Sequence, residues 1–162
     1  MKIMNKFQKK LANRKKDNKG FSLVELIIVI AIMAILVGIV GTQVIPYIDK
    51  SRHAKDVQVL SGLCTDAMTA YSSNAATLDS AAVYEIDIDS SKVEVKKGAA
   101  VDTDTTLKNA FTELNKVTKI SDLKLESKEG KKVTKVKITC QNTGDMITVE
   151  TEGGTFDKIT SK

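Results

Sequence analysis

The sequence predicts an α+β chain, in which a long N-terminal α-helix, apolar in its first half and amphipathic in its second, packs on a small antiparallel β-sheet head. Three observations predict it. Residues 26–41 form a run of sixteen without a polar side chain. Beyond that run, apolar residues recur at spacings of three and four, the period of one helix face. From residue 77 onward the pattern changes to short alternating runs separated by turn residues, which read as strands.

Charge is divided as sharply as hydropathy. Residues 1–20 hold eight Lys or Arg against the single acid Asp17, a net of +7, whereas residues 21–162 hold 17 bases and 19 acids, a net of −2. The overall +5 therefore belongs to a short leader and gives no support to a nucleic-acid-binding domain. The boundaries read from the chain are a basic leader over 1–20, a hydrophobic membrane-spanning helix over 21–46, the amphipathic half of that helix over 47–76, and a globular head over 77–162.

The span is justified by its energetics. Residues 21–41 contain fourteen Leu, Ile, Val or Phe, each contributing about −0.3 to −0.6 kcal/mol to insertion. Glu25, near one end, opposes this by less than the roughly 2.5–3.5 kcal/mol of an acid at mid-bilayer. Twenty-one helical residues reach about 30 Å, the thickness of the hydrocarbon core. The flanking charge places residues 1–20 in the cytoplasm and the head outside, by the positive-inside rule. The core is too long for an ordinary cleaved secretory signal, and TQVIPYIDK after it offers no small-residue cleavage site.

At the front of the span, glycine closes the basic leader, an aromatic residue opens the apolar run, and one acid follows four residues later. Gly20-Phe21-Ser22-Leu23-Val24-Glu25 resembles the class III signal of type IV prepilins and related pseudopilins, over residues 14–46. The resemblance implies that a prepilin peptidase cuts between Gly20 and Phe21 on the cytoplasmic side, that Phe21 becomes N-methylated, and that Glu25 is the glutamate used in assembly. It implies as partners other pilin subunits in a homopolymer, the peptidase, the pilus assembly machinery and, before assembly, the membrane. The physics of Glu25 stands without the family. Cleavage leaves an ammonium at Phe21, and an isolated charge there or at Glu25 is costly in apolar surroundings. Within one chain the two pair only loosely, whereas in a helical stack the carboxylate of one subunit meets the terminus of the next, neutralising both and fixing register. The alternative is an acid tolerated at the membrane edge.

Gly38, Gly41 and Pro46 interrupt the helix, since each glycine weakens it by about 1 kcal/mol and an interior proline by about 3. Residues 38–46 are therefore expected to kink or melt when the helix leaves lipid for a filament, or else simply to mark the membrane exit. After them, Val57, Leu60, Cys64, Met68, Tyr71 and Ala75 form the apolar stripe, with Arg52, Lys55, Asp56, Asp66 and Ser73 between, and the helix is expected to run to about Ala76.

In the head, 83–89 and 92–96 are short strands or an extended loop. Thr103 or Asp104 caps a helix over 105–118 with Leu107, Ala110, Phe111, Leu114 and Val117 on one face. Strands are expected over 122–126, 133–140 and 145–151, with 129–132 and 141–144 as turns. Cys64 and Cys140 fall on apolar faces that can share one interface, either as a disulfide or as two small buried side chains. The acidic stretch 79–104, net −4, and the basic stretch 119–137, net +4, are solvated surface or complementary patches that meet across subunits; a third reading makes the lysines a face for DNA or anionic surfaces, though no aromatic platform accompanies them.

Enzyme chemistry finds no foothold. There is no nucleophile elbow, phosphate loop or zinc-ligand spacing, and no cofactor or metal is expected. His53 is expected on the solvated side of the helix. Asp87-Ile88-Asp89 and Asp102-Thr103-Asp104 lack the glycine and terminal glutamate of a calcium loop. The reading is a structural subunit of an extracellular type IV pilus, serving adhesion, aggregation or surface motility. Its alternatives are a pseudopilin of a type II secretion or DNA-uptake system, or an uncleaved membrane-anchored binding module.

Overall fold

The computed structural model describes residues 20–144 and 146–161; the basic leader up to Lys19 lies outside the described residues. The backbone is helical from Leu23 to Ser73, as α1 (Leu23–Ile39), a π-helical turn (Val40–Val44) and α2 (Ile45–Ser73). The chain divides after Val44 into two compact units.

In the first unit, α1 buries none of its residues. Its best eighteen-residue window has a mean hydropathy of 3.2, so a helix apolar on every side lies bare, a surface that only lipid or other helices can cover. By its length and composition this helix can cross a membrane. Pro46 is the second residue past the π turn, inside a helix that is continuous from Leu23 to Ser73, and supplies no N–H to the carbonyl one turn before it. The π turn just ahead of it takes one extra residue into the helical register, the usual form of a local misfit in an α-helix.

The second unit is a six-stranded antiparallel sheet in the order β3-β2-β1-β4-β5-β6, with α2 on its apolar face. The strands are β1 (Tyr84–Ile88), β2 (Val93–Lys97), β3 (Ala100–Val101), β4 (Lys135–Cys140), β5 (Ile147–Glu152) and β6 (Ile159–Ser161). Alternation assigns the faces: Ile86, Ile88, Val136, Ile138, Cys140, Ile147 and Val149 are all at most 1% exposed. Against them α2 sets Leu60, Leu63, Cys64, Ala67, Ala70 and Tyr71, each buried. Ala67 and Ala70 let the helix lie close to the sheet. The helix α3 (Thr106–Asn115) closes the core with Leu107 and Phe111. The expected layout, a long helix on a small antiparallel sheet, is the one found.

Of the two readings of 83–96, strands or an extended loop, the strands are found, as a hairpin with Ile86 opposite Val95 and its turn held by Asp89, whose Oδ1 accepts from the Ser91 and Lys92 amides at 2.7 and 2.9 Å. Other local expectations are corrected. The helix predicted over 105–118 is α3 and stops at Asn115, because Lys116 turns left-handed at φ 57°. Asp104, rather than Thr103, holds its start by accepting from the Thr106 amide at 2.9 Å, and Leu114 is 51% exposed, off the buried face. No strand forms over 122–126. A 3-10 turn, Ile120–Leu123, ends in a left-handed Lys124, and the chain then docks on α2. The helix ends at Ser73, short of Ala76. The two outermost strands, β3 and β6, are too short to give a readable alternation.

The acidic and basic stretches meet inside the chain. On the outer sheet face Asp87 pairs with Lys96 at 2.7 Å and Lys135 at 3.1 Å, and Glu85 with Lys137 at 3.8 Å. The Asp87 side chain is only 4% exposed. Burial alone pushes its carboxyl up, but the hydrogen bonds and charge of Lys96 and Lys135 outweigh that and hold it below the ordinary value. A carboxyl depressed in the folded state stabilises it above the unfolded pKa, and that contribution is lost as pH falls through the folded value. Thermal melts should therefore be level above about pH 5 and fall progressively below the ordinary Asp value of 3.8, with Asp87→Asn flattening the decline. An unchanged acid limb in that variant would contradict the pairing.

Candidate functional site

The assembly end of the chain is built by Ser22, the N-cap of α1. Its Oγ accepts from the Val24 amide at 3.3 Å, and Glu25 reaches back so that its Oε2 accepts from the Ser22 amide at 2.8 Å. This is a capping box, which satisfies donors that a helix start leaves open. The carboxylate of Glu25 thus lies one residue from the amine that cleavage before Phe21 would release. In the uncleaved chain Glu25 already has a partner in its own backbone, the Ser22 amide. Phe21 is 89% exposed.

Gly20 is exposed, and a Cβ added there would meet nothing within 4 Å. Among the described residues, no packing requires a glycine at this position. The same holds at Gly38 and Gly41. Between those glycines and Pro46, Thr42 Oγ1 donates to the Gly38 carbonyl at 2.9 Å, a back-bond that supports a carbonyl near the π turn and is often found where helices bend.

In the head, Cys64 and Cys140 are buried free thiols. Cys64 Sγ lies 3.9 Å from the Ile147 carbonyl oxygen, and burial raises its thiol pKa. Burial, reinforced by charge repulsion from Cys64, pushes the Cys140 thiol up to about 12. Both are inert as nucleophiles in the folded head, since the thiolate is the reactive form. Native protein should take up no alkylating reagent over hours, whereas unfolding without reductant should expose two reactive thiols by mass. Uptake only after reduction would show a disulfide instead.

Asp56, which falls among the polar positions between the apolar residues of α2, is buried instead. It is 1% exposed and accepts three hydrogen bonds: from the Glu126 amide at 2.9 Å, the Ser127 amide at 2.9 Å and Ser127 Oγ at 2.6 Å. Burial pushes its carboxyl up, but those bonds, with His53 nearby, outweigh this and leave it depressed. Ser127 Oγ in turn accepts from the Gly130 amide at 2.9 Å, and a Cβ on Gly130 would overlap the Asp56 carboxylate. The chain from Glu126 to Gly130 is thereby pinned to α2. His53, expected in solvent, is half-buried and stacks on Phe156 at 4.8 Å with the rings 8° apart.

The acid pairs 87/89 and 102/104 are committed to the backbone and to lysines: Asp102 Oδ1 accepts from the Asp104 amide at 3.1 Å. Among the described residues no cluster of three His, Cys, Asp or Glu side chains is placed to share an ion.

Residues 15–41 match a family model described as the prokaryotic N-terminal methylation motif. That motif is the class III signal of type IV pilins and pseudopilins. No curated protein and no solved structure matches the chain at a significant level.

Proposed function

We propose that this chain, which carries the class III signal of type IV pilins and pseudopilins, is the precursor of a structural filament subunit: cut after Gly20, N-methylated at Phe21, and polymerised through its apolar helix into an extracellular pilus. The observation that carries the reading is the junction itself, a glycine with no packing neighbour among the described residues, followed by an apolar helix of which no residue is buried. In this reading the new ammonium at Phe21 of one subunit replaces the Ser22 amide as the partner of a neighbour's Glu25. Assembly must then outweigh a capping interaction worth about 0.5–2 kcal/mol, which an ion pair held in apolar surroundings can do once both charges would otherwise be buried alone.

Gly38, Gly41 and Pro46 are the segment that loosens when the helix moves from lipid to filament, the π turn being its resting form. Adhesion, aggregation and surface motility are the uses such a filament would serve. A pseudopilin shares the same junction. An antibody to the head that labels long surface fibres supports the pilus subunit, and labelling confined to the envelope supports the pseudopilin.

Cleavage is tested by co-expression with a prepilin peptidase. The wild-type chain should lose its leader, and Gly20→Glu should stay full length because the peptidase must admit the backbone closely at this position. A Gly20→Glu chain that shortens normally would overturn the assignment.

A further inference from the structure

Within the head lies an open pocket of about 190 Å³ beside the 3-10 turn Ile120–Leu123. Ile120, Leu125 and Val133 form its apolar floor, and Ser121, Lys124 and Lys131 rim it. Among the described residues no carboxylate lines it, and the acids of the same segment are committed elsewhere. Asp122 Oδ2 accepts from the Thr118 and Lys119 amides at 2.9 and 3.1 Å. Glu126 pairs with Lys55 at 3.3 Å and Glu129 with Lys132 at 2.7 Å. The frame is fixed at both ends. The Ile120 amide donates to the Asp89 carbonyl at 2.8 Å, and Asp56 holds Glu126 and Ser127 to α2. Among the described residues Lys124 and Lys131 have no acid partner, and both are exposed. The pocket thus offers an apolar floor and two uncompensated cations on a rigid frame.

Its complement is an apolar side chain beside a free carboxylate, and the same head carries one. Beyond α2 the large apolar side chains left exposed among the described residues are Val83, Val101 and Leu114. Val101 lies opposite Lys96, and Glu85, the acid nearest Val83 in the chain, is paired with Lys137. Leu114 differs, because Glu113 beside it is exposed and, among the described residues, has no ion pair or hydrogen bond from its side chain. A lone exposed leucine needs no explanation; the uncommitted carboxylate singles this one out. Lys116, the nearest cation in the chain, lies past the helix end in a left-handed conformation and makes no ion pair with Glu113. We propose that the Glu113–Leu114 corner of one copy seats in the pocket of a second copy. Leu114 covers Ile120, Leu125 and Val133, and Glu113 lies between Lys124 and Lys131, the charges choosing this leucine over the other exposed apolar residues. Corner and pocket are different patches, so the contact is heterologous and can repeat from copy to copy. It deepens the filament reading by naming a contact between heads, yet requires neither cleavage nor polymerisation, so the two fail separately.

The test uses two differently tagged, uncleaved full-length chains, one Lys116→Cys and the other Ser121→Cys. Both changes are at exposed positions beside the proposed contact, and the native thiols are buried. The chains are reconstituted together at high density in phosphatidylcholine vesicles, which raises the effective concentration of the heads. A short bismaleimide is added, and the mixed product is measured by mass spectrometry. Its yield should exceed that of a control pair, Lys116→Cys with Lys158→Cys, by about fivefold or more, as a specific contact requires. Lys131→Glu in the Ser121→Cys chain should cut the yield by about fivefold, as should Glu113→Lys in the Lys116→Cys chain, because each sets like charges together. The two reversals combined should restore it. A mixed yield no higher than the control would overturn the proposal and leave the pocket to an acidic partner other than this chain. Single reversals without effect, or a combination as poor as either alone, would overturn it too.

Discussion

Glu25→Ala should leave the chain processed and membrane-bound yet absent from filaments, a loss far larger than its effect on folding. Within the chain, Glu25 contributes one hydrogen bond, to the Ser22 amide at 2.8 Å. Removing it costs the end of α1 about 1 kcal/mol, and the rest of the apolar helix is untouched, so insertion and cleavage should proceed. In a stack of helices the same change leaves each Phe21 ammonium without a partner in an apolar setting, where an uncompensated charge costs several kcal/mol. That penalty recurs at every subunit added, and polymerisation amplifies it. Glu25→Gln should behave like alanine, because it restores the capping hydrogen bond but not the charge. Sheared-surface preparations from cells expressing each variant give the reading. Wild-type filament yield from Glu25→Ala would show that the glutamate is merely tolerated.

Asp56→Ala should lower the stability of the head by about 3–4 kcal/mol, because it strands the buried Ser127 amide and hydroxyl that the carboxylate accepts from, each at a cost of about 1–3 kcal/mol. For a unit of this size the melting temperature should fall by about 15 °C. Gly130→Ala should act in the same direction through a different atom, since its Cβ would displace the Asp56 carboxylate. Circular dichroism melts of the detergent-solubilised chain measure both. A melt of Asp56→Ala within about 2 °C of wild type would mean that the segment from Glu126 to Gly130 is held by other contacts. Both variants should also free that segment, and with it the lysines at Lys128 and Lys131.

What the sequence made legible is what local pattern encodes. An unbroken apolar run can only be covered by lipid or other helices, and the junction from Gly20 to Glu25 is a contiguous motif. The alternation of Val136, Ile138 and Cys140 against Lys135 and Lys137 assigns the faces of β4. The misplaced residues are those whose partners are distant in the chain. Asp56 looks like any solvated acid between Arg52 and Ser73, because its three donors lie some seventy positions away, at Glu126 and Ser127. His53 fails for the same reason, since its partner is Phe156. The run 122–126 alternates well enough for a strand, but the segment is drawn into a 3-10 turn and then onto Asp56, and that tertiary anchoring overrides a weak β preference. The opposite charges of 79–104 and 119–137 are visible, but not that β1 and β4 are neighbours, which sets Asp87 on a diagonal between Lys96 and Lys135.

The most direct measurement is the amino terminus of the protein recovered from the cell surface, by intact mass and terminal sequencing. A chain beginning at N-methylated phenylalanine, Phe21, with the leader gone, is the result required of a subunit whose new ammonium seeks Glu25 of a neighbour. A mature chain that still begins at Met1 would contradict it.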